Sequence, residues 1–256
     1  MVMVDVLEAI TNPFRGILPI PGALPASPDM FRQQLAHSLQ RWREENYLVV
    51  WLEVSLARAA LIPIAVEAGF TFHHSSEDYL MLTLRLVEGA MIPPYASHYI
   101  GAGGVVINDQ RDLLVVSERF RSRRGPSYKL PGGALHPGEH LVDGVIREVY
   151  EETGVSAEFQ ALACFRHWHG YRYGKSDIYF VCRLRPLSHE ISMQAEEIAE
   201  CLWMPVDAFL SDAGVHAFNK EIVRAALESP GLAPSFIDGF EDDGKREFFM
   251  PRWDRG

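Results

Sequence analysis

Cysteine is scarce and unpatterned in this chain. Cys164, Cys182 and Cys201 stand far apart with no CxxC pair, which excludes a disulfide framework and a cysteine zinc site; each reads as a small buried apolar residue. Positive charge is also short. The net charge is -10, whereas a general nucleic-acid binder needs a basic surface to displace counterions. The start, MVMVDVLEAITNPFRG, has neither a basic leader nor a long apolar run, so no signal peptide or membrane anchor is expected and a cytoplasmic protein is. Glycine is sparse early on: residues 1–88 hold only Gly16, Gly22 and Gly69. That removes the glycine-rich loop with which an acyltransferase cradles a coenzyme pyrophosphate at a helix start.

What remains is ordinary globular material, 256 residues of which 48% are hydrophobic, enough for two small domains. In the first, residues 14–18 suit a short strand. Ser27 or Asp29 can cap a helix in which Phe31, Leu35, Leu39 and Trp42 recur at three- and four-residue spacing. Residues 48–54 read as a buried strand and 56–68 as a helix, with Gly69 at its C-cap and Pro63 forcing a kink or a later start. Residues 70–74 and 79–87 read as two more strands. This alternation predicts an α/β unit over residues 1–95, an accessory or dimerisation domain, closed by a linker marked by Gly89, Pro93 and Pro94. His73 and His74 lie beside Glu77 and Asp78, but adjacent strand residues face opposite ways and are not expected to share an ion.

The second domain is expected over 96–230, with a tail at 231–256. Gly101, Gly103 and Gly104 lead into a strand, where a dinucleotide fingerprint would lead into a helix; a tight backbone contact explains them better. After a strand at 113–118, Arg119, Arg121, Arg123, Arg124 and Lys129 form a basic loop, a candidate for phosphate contact. Strands are expected at 159–166 and 177–184, around a loop carrying His167, Trp168, Tyr171 and Tyr173 that can stack on a base or simply pack.

Between them stands GALHPGEHLVDGVIREVYEETGV, residues 133–155. Pro137 and Gly138 make a turn, a helix runs over 140–153, and Gly154 ends it. At 3.6 residues per turn Glu148, Glu151 and Glu152 fall within an arc of roughly 100°, with Val142, Val145, Ile146 and Val149 on a separate stripe. Acids three and four apart cost an isolated helix roughly a few tenths of a kcal/mol. A divalent cation removes that cost, and all-oxygen ligands favour magnesium or manganese over zinc. Arg147, beside the arc, can reach back to Glu139 and fix the loop on the helix.

The order Gly133, Glu139, Arg147, Glu148, Glu151, Glu152, Gly154 matches the Nudix box at every fixed position. Seven demanded residues recur by chance about once in a billion starts at roughly one in twenty per position. With LPGG before the box and EIAECLWMP after it, the chain resembles a Nudix hydrolase. Residues 47–109 and 161–188 extend the likeness to the branch of the plant ADP-ribose/NADH pyrophosphatases and the animal fibroblast-growth-factor antisense protein. The resemblance implies an α/β/α sandwich around a mixed sheet, preceded by a small acetyltransferase-like α/β domain without a coenzyme site. It further implies Glu148, Glu151 and Glu152 as metal ligands with the carbonyl of Gly132, and Glu139 with Arg147 as a structural ion pair. Glu197, six residues before Trp203, matches a downstream glutamate that some members use as ligand or general base, with Glu148 its rival. Arg119, Arg121, Arg124 and Tyr128 are candidate substrate contacts; Tyr128 stands where close relatives have tryptophan.

The reaction expected is Mg2+- or Mn2+-dependent hydrolysis of a diphosphate linking a nucleoside to another group, with ADP-ribose first and NADH second. The substrate would be a small molecule and the protein a homodimer, with no nucleic-acid polymer or membrane as partner. The alternative is a ligand-sensing or protein-interaction module that keeps the fold with little catalysis.

Overall fold

The computed structural model describes residues 5–119, 127–240 and 244–252. The chain divides into two compact units, Met1–Ala96 and Ser97–Gly256. Among the described residues no helix is long and apolar enough to cross a membrane.

The first unit holds a five-stranded sheet in the order β1-β2-β3-β5-β4. Its strands are β1 (Ala9–Thr11), β2 (Gly16–Pro19), β3 (Val49–Ser55), β4 (Thr71–Ser75) and β5 (Tyr79–Arg85), and its helices are α1 (Pro28–Glu44) and α2 (Ile62–Glu67). Helix α1 starts behind Ser27 with Pro28 in its first turn and buries Phe31, Leu35, Leu39 and Trp42, the spacing that aims one face at a sheet. Strand β3 is the spine, parallel to β2 and antiparallel to β5, with Val50, Leu52 and Val54 buried against that helix face. Residues 56–68 do not make one helix. A 3-10 turn over Leu56–Leu61 precedes α2, and Pro63 falls in the first turn of α2, where a missing N–H costs nothing.

The histidine pair departs from the simple alternation of a strand. A register shift between Phe72 and His74 places an extra residue in β4, and such a bulge breaks the period of two. The two rings therefore meet, Nδ1 to Nδ1 at 2.7 Å. His73 Nε2 donates to the Pro93 carbonyl at 2.8 Å, and His74 Nε2 lies 3.1 Å from the Tyr79 hydroxyl. His74 also stacks on Tyr95 with ring centroids 4.4 Å apart. Burial and the neighbouring His73 hold the pKa of His74 below the ordinary imidazole value.

In the second unit a six-stranded mixed sheet runs β13-β12-β9-β10-β6-β8, and β7 pairs separately with β11. The strands are β6 (His98–Val106), β7 (Asp112–Glu118), β8 (Gly132–Ala134), β9 (Ala157–Trp168), β10 (Ser176–Pro186), β11 (Ile198–Pro205), β12 (Leu232–Pro234) and β13 (Phe249–Pro251). The helices are α3 (Leu141–Thr153), α4 (Val206–Ser211) and α5 (Ala217–Glu228). Strand β10 is parallel to β6 and antiparallel to β9. Alternation along the strands splits the core. Ala102, Val106, Cys182 and Leu184 pack with Val145 and Val149 of α3, while Val105 and Val181 pack with Phe209, Ile222 and Val223 of α4 and α5. Helices on both sides of a mixed sheet make an α/β/α sandwich.

The glycines of β6 are required by close packing. A Cβ on Gly104 would stand 2.7 Å from Val149 Cγ2, and one on Gly103 would stand 2.1 Å from the Tyr179 hydroxyl. Small residues there let α3 lie on the sheet and let Tyr179 cross the strand. Segment 231–256 contributes β12 and β13 to the sheet, through pairings of β12 with β9 and β13.

Candidate active site

Helix α3 presents its acids beside the short strand β8. Its start is fixed from a distance: the Glu247 carboxylate accepts from the backbone N–H of Leu141 at 2.6 Å and of Val142 at 3.3 Å. A carboxylate on the free N–H groups of a first turn stabilises it by hydrogen bonding and by the helix dipole. The end is fixed locally. Gly154 adopts φ +73, and its N–H donates to the Tyr150 carbonyl at 2.7 Å, an αL cap that favours glycine. Between the caps, Leu141, Val145 and Val149 bury and the opposite arc turns to the loop before the helix.

Arg147 is the centre of that arc. Its guanidinium grips Glu139 at both oxygens, Nε to Oε1 at 2.7 Å and Nη2 to Oε2 at 2.9 Å, and Nη2 also donates to the Ala134 carbonyl at 3.2 Å. Nη1 donates to Glu148 Oε1 and to Glu151 Oε2, each at 2.9 Å. One cation thus spans three carboxylates. The hydrogen bond from Arg147, assisted by the His136 backbone N–H, holds the Glu139 carboxyl at about 2 against its ordinary 4.5. The same bonds push the guanidinium pKa further up. The ion pair expected between Glu139 and Arg147 is present as geometry, and Glu148 and Glu151 share it.

Glu152 lies apart. The residue is 7% exposed. Its Oε2 accepts from the Gly132 N–H at 2.9 Å, and the nearest cation, Lys129 Nζ, is 3.8 Å from Oε1 and only 2.6 Å from Glu118. Burial pushes its pKa up to about 7, opposed by Lys129 and the Gly132 N–H and reinforced by Glu148 and Glu118. The backbone at β8 lies close to this helix: a Cβ on Gly133 would lie 2.5 Å from Glu148 Oε2, so a side chain there would displace that carboxylate.

The other expected residues are distributed unevenly. Gly132 meets Glu152 through its N–H. Glu197 sits exposed in the turn before β11, and its backbone carbonyl accepts from the Arg119 N–H at 2.9 Å. The Tyr128 hydroxyl donates to Glu200 at 2.9 Å, and burial followed by that bond raises its pKa. Arg121 and Arg124 lie outside the described residues. Glu118 and Glu247 were not expected at the site; Lys129 was read as part of the basic loop before the box, and its partners come from β7 and α3.

The donor set at α3 suits a hard divalent cation, since it is all carboxylate and backbone oxygen. Among the described residues no three metal-ligating side chains converge on one point, because the Arg147 guanidinium bridges Glu148 and Glu151. The test of fit is Glu152: a buried carboxylate whose pKa stays raised although Lys129 lies 3.8 Å away has a deficit of positive charge that a cation would fill.

An α/β/α sandwich with a Gly-Glu-Arg-Glu-Glu-Glu-Gly box on a glycine-bordered helix defines a Nudix hydrolase, and the chain belongs to that family, pyrophosphohydrolases as a class that work with divalent metal ions. The family model described as NUDIX domain matches residues 97–226, and a Nudix hydrolase domain model matches residues 7–86. Nudix hydrolase 8 of Arabidopsis thaliana is 39% identical over 243 residues, 90% of this chain and 65% of the relative. Nudix hydrolase 7 of the same plant is 37% identical over 256 residues, covering 96% of this chain and 90% of the relative. The human protein named nucleoside diphosphate-linked moiety X motif 6 is 36% identical over 201 residues, 77% of this chain and 63% of its own length.

Proposed function

We propose that the protein hydrolyses the diphosphate of a nucleoside diphosphate joined to a second group, with ADP-ribose the first substrate and NADH the second, and with Mg2+ or Mn2+ as the ion. The observation that carries this reading is Glu152, a carboxylate of the acid helix that is buried, with its pKa pushed up to about 7. A sequence selected for stability alone gains nothing from such a group. The printed name of the human relative, a nucleoside diphosphate-linked moiety X protein, points to the same substrate class.

Each residue of the chain then has a role. Glu148, Glu151 and Glu152, with the carbonyl of Gly132, are the groups that would hold the ion. When bound, it neutralises the diphosphate and acidifies a water. Arg147 clamps Glu139 and so holds the loop over residues 134–139 against α3. With Glu148 and Glu151 engaged elsewhere, the bidentate grip on Glu139 would still hold the loop. Glu148 lies against Gly133 and takes the water's proton as general base, whereas Glu197 stands exposed ahead of β11. Arg119 and Tyr128 are the described residues taken as substrate contacts, with Arg121 and Arg124 outside the described residues. Residues 5–96 form an accessory domain.

The test is product analysis. Incubation with Mg2+ and, separately, ADP-ribose, NADH, coenzyme A, a dinucleoside polyphosphate and a nucleoside triphosphate should give AMP and ribose 5-phosphate fastest from ADP-ribose. Silence across the panel, with tight ligand binding, would make the chain a sensing module.

A further inference from the structure

On the sheet face that α5 covers, β9 and β10 bring Arg166 opposite Tyr179 and Trp168 opposite Asp177. Arg166 is ion-paired through Nη2 to Asp177, whose side chain is 8% exposed. Its guanidinium carbon lies 5.4 Å from the ring centres of Trp168 and Tyr179 and 5.3 Å from that of Phe218, all within cation–π range. A guanidinium in such a nest is fixed in place by its anion and its rings. Yet Nε is buried and has no hydrogen-bond partner, an unusual state for a strong donor. Trp168 is 47% exposed, with Tyr171 tilted against it at 5.3 Å, so part of its ring beside the guanidinium still meets solvent.

This cluster connects to the acid helix through one side chain. The Tyr179 ring packs on Arg166, and its hydroxyl lies 2.8 Å from where a Gly132 Cβ would be; the N–H of Gly132 is bonded to Glu152. Burial pushes the Tyr179 phenol pKa up, so it stays a neutral spacer between the cation and the acids.

We infer that Arg166 and Trp168 form the subsite for the nucleoside half of the substrate: a nucleobase stacks on the exposed part of Trp168, and an acceptor oxygen of its sugar or phosphate meets the part of the Arg166 side chain that remains exposed. The inference rests on the proposed hydrolysis for its context, and it names the residues that select what is attached to the diphosphate. Arg166 is a specificity-determining residue, held in place by Asp177 and Tyr179. A lysine there keeps the charge but loses the planar fork and its stacking.

Two measurements test this. Calorimetric titration of AMP into the full chain, for wild type, Arg166→Lys and Trp168→Leu, should show AMP binding to wild type that weakens at least tenfold in either variant. Trp168→Leu leaves the Arg166–Asp177 pair in place and guards against a folding failure of the first variant, with matching circular dichroism as the check. Steady-state kinetics on ADP-ribose should place the larger part of each variant's loss in KM. Equal AMP affinity in all three proteins, no AMP binding to wild type, or a loss confined to kcat overturns the subsite. If wild type binds AMP through these residues but hydrolyses nothing in the substrate panel, the subsite stands and the proposed reaction falls.

Discussion

Glu148 and Glu152 are one helical turn apart on α3, yet they sit in opposite electrostatic regions. Around Arg147, three carboxylates share a guanidinium with four hydrogen bonds of 2.7–2.9 Å, and Glu139 is held at about 2. Around Glu152, burial outweighs Lys129 at 3.8 Å and the one N–H, and the carboxyl is pushed up to about 7. The first region is satisfied and rigid; the second is short of positive charge. The difference sets the Arg147–Glu139 clamp, which keeps the loop on the helix, apart from Glu152, the carboxylate at which the proposed ion would relieve a shortage of positive charge.

The sharpest way to break that contrast is to remove single carboxylates. Glu152→Gln should lower kcat on ADP-ribose by about 10³-fold or more, in the range of losing a charge-stabilising group, while Glu151→Gln, half exposed, should lose far less. Equal losses would erase the distinction. Next in size, Arg147→Ala leaves partly buried carboxylates facing one another. It should cost about 3 kcal/mol, a fall in Tm of roughly 6–12 °C, readable by calorimetry of the metal-free protein.

The pH dependence of stability separates the two regions by sign. Glu139 has a folded pKa below its unfolded value, so its contribution is complete above about pH 4.5 and lost as pH falls towards 2. Glu152 has a raised folded pKa, so its contribution is complete below about pH 4.5 and lost as pH rises through 7. Glu139→Gln should therefore destabilise the metal-free protein at pH 7 and converge with wild type in acid. Glu152→Gln should stabilise it at pH 8, by about 3 kcal/mol, and have little effect at pH 4. Thermal melts across that range check both. The smallest effect is expected for Lys129→Met. Lys129 lowers the Glu152 pKa, so its loss should move the acidic limb of kcat/KM upward.

What could be read from sequence followed from local rules. The apolar stripe of α3, the Gly154 cap and the reach of Arg147 to Glu139 depend on helical periodicity and on residues a few positions apart, and each is present. The glycines of β6 read correctly as tight contacts, although the neighbours they meet, Val149 and Tyr179, were not legible. What escaped was carried by long-range pairs. Glu247 caps a helix more than a hundred residues earlier in the chain. Lys129 gains its meaning from Glu118 and Glu152 on separate elements. Arg166 looked like the end of a strand until β10 and α5 placed Asp177, Tyr179 and Phe218 around it. The His73–His74 contact failed for a different reason: alternation assumes an unbroken ladder, and one bulged residue reverses the face.

Isothermal titration of Mg2+ into the full chain at pH 6 and pH 8, in two buffers of different ionisation enthalpy, tests the central contrast most directly. If the Glu152 proton must leave for the ion to bind, affinity rises about tenfold over that interval and close to one proton is released per ion at the lower pH, and Glu152→Gln abolishes both effects. Mg2+ affinity independent of pH, or a proton release that persists in Glu152→Gln, would contradict the account.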